Sequence, residues 1–207
     1  MFSNLTYLHR FIRGKENTTL LLLHGTGGDE DDMIAVGHAI SAESSMLSPR
    51  GKVNENGMPR FFRRISEGVF DLEDLKFRSK ELAEFVRNAS GVYNFDSNAV
   101  IAVGYSNGAN IAASILLLGL FRFAGSILFR PMVPLIPPNL PNLQNSPILV
   151  ASGTMDQLVP RSETERLVAL FRKAGAKVTL TWQEGGHALG SEEVKKANEW
   201  FQKGILS

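Results

Sequence analysis

The sequence contains no cysteine. That excludes a disulfide-stapled scaffold, a thiolate zinc site and any enzyme working through a cysteine nucleophile. Net charge is also nearly absent: 22 Lys and Arg against 21 Asp and Glu leave +1, with both signs interspersed. Such a balance gives no support to a nucleic-acid groove or to stable association with an anionic membrane surface. Long hydrophobic runs are missing too. The longest, residues 111–121, falls short of the roughly 20 apolar residues a bilayer requires and reads as a buried helix. Residues 1–4 do not open a charged segment leading into an apolar core, so no secretory leader is expected and the expected location is cytoplasmic.

What remains is an ordinary globular composition, 43% hydrophobic and 21% charged, sized for a single domain over residues 1–207. Apolar runs alternate with segments of helical period, the pattern of an α/β protein with a mostly parallel central sheet flanked by helices on both faces. Strands are expected at residues 18–24, 45–47, 99–103, 125–129, 147–151 and 177–182. Helices are expected to about residue 40, with the acidic residues 29–32 in the first turn, and at 72–87, 107–118, 162–174 and 192–201. Residues 48–68 form a loop too long to be idle in a compact domain. Residues 131–147, rich in proline and asparagine, forbid regular structure. No segment is long enough for a lid domain.

Gly104, Tyr105, Ser106, Asn107 and Gly108 match G-x-S-x-G between an apolar strand and a helix. This is the context of a nucleophile elbow, a strained turn that exposes the serine hydroxyl above the sheet. A hydroxyl needs a base at neutral pH, and histidine has the suitable pKa. Four histidines are available. His9 falls in an edge strand, His24 ends the first buried strand and organises the loop after it, and His38 is inside a helix. His187 follows Gly185 and Gly186 in a loop after the last strand, where parallel sheets build their sites, and is the expected base. The orienting acid should lie between serine and histidine. Asp156, just after the strand ending at Ala151, fits. Its rival role is a helix cap, for which Ser162 is better placed. The backbone N–H groups of Thr26 and Asn107 are the expected oxyanion donors. The glycines around Thr26 do not complete G-x-G-x-x-G, because Glu30 holds the third glycine's place, so no nucleotide is expected.

On these residues the chain resembles the phospholipase/carboxylesterase family, the small lidless alpha/beta-hydrolases that include acyl-protein thioesterases and bacterial carboxylesterases. The likeness rests on Leu23–Gly25 and the glycines that follow, the 49–62 loop with its Asn-Gly-Met element, Gly104–Gly108, Gly153–Pro160, and Gly186 with His187. Two departures stand out. Asn107 replaces a frequent glutamine, and Pro59, Arg60, Phe61, Phe62, Arg63 stand where a tryptophan and an aspartate are common. The resemblance implies a cofactor-free, metal-free serine carboxylesterase for small or short-acyl esters, with Ser106, Asp156 and His187 as triad and Thr26 and Asn107 at the oxyanion. Phe61 and Phe62 are expected to narrow the substrate pocket, with Arg130 and Met132 at its mouth. An acyl thioesterase or lysophospholipase is the alternative, and a non-catalytic binding protein on the same scaffold a further one. A homodimer is compatible with the chain.

Overall fold

The computed structural model describes residues 5–204; residues 1–4, part of the no-leader reading, lie outside it. A seven-stranded sheet runs through the molecule. Its strands are β1 (His9–Ile12), β2 (Thr19–Leu23), β3 (Ser45–Pro49), β8 (Val100–Tyr105), β9 (Gly125–Phe129), β10 (Pro147–Gly153) and β11 (Lys177–Gln183). The spatial order is β1-β3-β2-β8-β9-β10-β11, and only the edge pair β1–β3 is antiparallel.

Every residue of β2, Thr-Leu-Leu-Leu-Leu, is buried. Alternate side chains point to opposite faces, and both faces are covered. Leu21 and Leu23 join a core with α2 (Leu72–Tyr93), α3 (Asn107–Leu117) and α4 (Arg161–Lys173). Leu20 and Leu22 join a second core with α1 (Ile34–Ile40) and α5 (Ser191–Gly204).

Several boundaries differ from the sequence reading. The acidic residues 29–32 precede α1, which starts after Met33 with no acidic residue in its first turn. Three of them serve as ion-pair partners instead, Glu30 and Asp29 to Arg50 and Asp31 to Arg10. Helix α2 runs six residues past Arg87 because Ala89 continues its buried face, and it stops at left-handed Asn94. Helix α4 begins at Arg161 after Pro160, so Ser162 lies inside the helix and caps nothing. The 48–68 loop contains two small hairpins: β4 (Val53–Glu55) with β5 (Met58–Arg60), and β6 (Arg64–Ser66) with β7 (Val69–Phe70). Asn56 and Gly57 turn the first with positive φ at both, as a tight two-residue turn requires. Residues 131–146 carry no regular element.

Candidate active site

The carboxyl ends of β2, β8, β9, β10 and β11 lie side by side and carry the chemistry-bearing residues. Ser106, between β8 and α3, has φ 52° and ψ −111°, a conformation held only where its surroundings enforce it. The elbow is tight on both sides. A Cβ on Gly104 would come 2.6 Å from the Gly108 carbonyl oxygen, and one on Gly108 would come 2.1 Å from that of Leu23. Both positions therefore need glycine for α3 to approach β2 and β8.

His187 reaches the serine from the loop after β11. Its Nε2 is 2.9 Å from Ser106 Oγ and its Nδ1 is 2.8 Å from Asp156 Oδ2. The Asp156 side chain is fully buried and that of His187 about one-fifth exposed. Asp156 Oδ1 accepts from the N–H groups of Leu158 and Val159 at 2.9 and 3.0 Å. One oxygen thus braces its own loop while the other faces the imidazole. Gly153 permits this approach, since a Cβ there would lie 2.4 Å from the Gly186 oxygen. Tyr105 closes the far side of the ring, donating its hydroxyl to the His187 carbonyl at 3.1 Å.

Thr26 and Asn107 face the same cavity as Ser106 and His187. At the first position of α3 the Asn107 N–H has no intrahelical acceptor, and the Thr26 N–H makes no backbone hydrogen bond among the described residues. Side chains fix both loops. Arg60 donates to Thr26 Oγ1 at 2.6 Å, and Asn107 Oδ1 accepts from the Phe61 N–H at 2.7 Å. The cavity, about 280 Å³, is further walled by Arg64, Phe70, Met132, Leu158 and Val159. Among the described residues no group of three or more His, Asp or Glu is arranged to hold a metal ion.

Two expectations about the pocket change. Phe61 and Phe62 are fully buried in the core and form no part of the cavity wall. Phe61 packs on the His24 ring with centroids 4.7 Å apart, and Phe62 sets its edge against Phe70 at 5.0 Å. Two adjacent aromatics after the β4–β5 hairpin gain more by burial than by lining solvent. Arg130 does reach the cavity, as does Met132, yet it is 1% exposed. It is bound to Glu193, an acid absent from the sequence reading, whose place three residues after Gly190 at the head of α5 was the available hint.

The profile described as Phospholipase/Carboxylesterase matches residues 12–205. The chain belongs to the phospholipase/carboxylesterase family. MhqD of Bacillus subtilis (strain 168), named as a hydrolase, is 44% identical over 198 residues, 96% of this chain and 99% of that one. The carboxylesterase of Bacillus cereus superposes with a TM-score of 0.94 at 48% identity, covering 97% of this chain and 95% of the other. YahD, solved with malic acid, gives 0.90 at 30% identity over 94% and 97%. The family's alpha/beta-hydrolase fold is the one described above. No described helix is long and apolar enough to cross a membrane.

Proposed function

We propose that this family member is a serine carboxylesterase that cleaves small or short-acyl esters through an acyl-enzyme intermediate. One observation carries the reading: Asp156, His187 and Ser106 stand in an unbroken hydrogen-bonded line, 2.8 and 2.9 Å, opening on a cavity. Ser106 Oγ attacks the acyl carbon and its proton passes to His187 Nε2. The carbonyl oxygen, now negative, is received by the N–H groups of Thr26 and Asn107. The tetrahedral species collapses, the C–O bond to the alcohol breaks, and His187 returns the proton to the departing alkoxide. Water then enters, gives a proton to His187 and attacks the acyl carbon; collapse releases the acid and restores Ser106. Asp156 holds the Nδ1–H tautomer and stabilises the imidazolium throughout.

The test is Ser106→Ala with 4-nitrophenyl butyrate and a fluorophosphonate probe. Hydrolysis and labelling should both vanish with the melting temperature preserved, since the half-buried Ser106 faces the cavity and packs into neither core. A purified variant that still turns over the ester refutes the assignment. Matched oxygen and thiol esters in the same assay separate a carboxylesterase from a thioesterase.

A further inference from the structure

We propose that Arg130 is a positioning residue for this reaction, gripping both carbonyls that flank His187 and, with Glu193, holding the imidazole between Asp156 and Ser106. The proposal rests on the triad reading above and extends it to a pair outside the triad.

Arg130 is the first residue after β9, with φ 55°, and its N–H donates to the Ala151 carbonyl at 2.8 Å. A long side chain in the left-handed region persists only where its surroundings over-determine it. Here they do, because every guanidinium nitrogen has an acceptor. Nε donates to the Gly186 carbonyl at 3.0 Å, Nη2 to the Ala188 carbonyl at 3.1 Å and to Glu193 Oε2 at 2.7 Å. Nη1 donates to Glu193 Oε1 and, at 3.4 Å, to the Ala151 carbonyl. Glu193 Oε2 also accepts from the Gly190 N–H at 3.1 Å. Residues 186, 188 and 190 are thus tethered to one ion pair, and His187 is held between two of the tethers. The loop has little stiffness of its own, since it enters through Gly185 at φ 139° and Gly186.

Charge supports the same role. Arg130 Nε lies 3.8 Å from Asp156 Oδ2, and the Arg130, Asp156 and Glu193 side chains are each at most 2% exposed. One guanidinium among two carboxylates leaves this buried cluster one negative charge while His187 is neutral. It becomes neutral when the imidazole takes the serine proton. Without Arg130, two carboxylates would be buried beside each other with no fixed cation to separate and orient them.

The experiment compares wild type with Arg130→Met, Arg130→Lys and Glu193→Gln in the full chain, with Ser106→Ala as control. It follows kcat and KM on 4-nitrophenyl butyrate, the rate of fluorophosphonate labelling, thermal melting, and the low-field proton resonance of the His187 Nδ1–H. Misplacing a reacting group by about 1 Å can cost about 10²-fold, so kcat and labelling rate of Arg130→Met should fall by about that factor. KM should stay near wild type and the low-field resonance should broaden or vanish. Arg130→Lys keeps the charge without the fork and should restore part of the rate. A merely structural Arg130 would lower the melting temperature and leave kcat and the resonance unchanged below it; that result in a folded Arg130 variant overturns the proposal. If Arg130→Met does not fold, Arg130→Lys and Glu193→Gln decide, and wild-type kcat in both is equally fatal. Hydrolysis in wild type that does not depend on Ser106 would instead sink the triad reading and this proposal with it.

Discussion

Asp156 divides its two oxygens between two tasks, and this division tells its roles apart. Oδ1 accepts from the amides of Leu158 and Val159 while Oδ2 faces His187. In Asp156→Asn the carbonyl oxygen can keep the loop amides, so the local turn and the melting temperature should change little. The amide nitrogen then faces His187 Nδ1 as a donor, which favours the tautomer that cannot accept the serine proton. In one serine protease the same exchange costs about 10⁴ in kcat, and in another losing the aspartate costs less than losing serine or histidine. A large fall in kcat at unchanged melting temperature is expected here. Near-wild-type turnover would leave Asp156 as a loop brace and nothing more.

At the level of elements, His24 joins the end of β2 to the loop before β4. It is 1% exposed, and its ring has a fixed polarity. Nε2 accepts from the Gly51 N–H at 2.9 Å, so Nδ1 is the nitrogen that donates to the Gly25 carbonyl at 2.6 Å. Protonation would set a donor against the Gly51 donor. Burial holds the imidazole pKa below its ordinary 6.5, and the Gly25 carbonyl offsets this only in part. A depressed folded-state pKa means the unfolded chain binds the proton first. The stabilisation is therefore complete above pH 6.5 and is lost as pH falls below it, with a slope of at most about 1.4 kcal/mol per pH unit. Denaturant melts of wild type and His24→Gln between pH 7 and 5.5 check this: the pH-dependent part assigned to His24 should disappear in the variant. Parallel slopes in the two proteins would rule it out. Strand β2 is legible in the sequence because a run buried on both faces is continuously apolar, and the positions of Ser106, Asp156 and His187 just beyond strand ends because glycine-rich turns mark such ends. The hairpins over residues 53–70 are not. Their strands are two or three residues long, too short for a period to show. Position after a strand puts Arg130 at the cavity, where it does lie, but its burial, like that of Phe61 and Phe62 in the core, depends on distant partners, Glu193 and His24, that no local pattern announces.

Over the whole molecule, the site is an open cavity at the carboxyl edge of the sheet, with no described domain folded across it. Its volume, about 280 Å³, sits at the small end of ligand pockets, roughly 300–1,000 Å³. Apolar walls are supplied by Phe70, Met132, Leu158 and Val159, interrupted by Arg60 and Arg64. Each methylene that finds such a wall contributes about 0.8 kcal/mol, about fourfold in kcat/KM if the contact is made in the transition state. That gain should operate over the first few carbons of the acyl chain and then stop, because later methylenes leave the cavity and meet solvent. Esters of 4-nitrophenol from acetate through butyrate should therefore show rising kcat/KM, and octanoate and dodecanoate should show none of the continued rise that a long apolar channel gives. Measuring kcat/KM rather than kcat alone matters, since deacylation can limit turnover and hide the binding term. A dodecanoate ester cleaved faster than the butyrate below its micelle-forming concentration would mean that the acyl chain has an apolar path out of this cavity, and the short-acyl reading would fall.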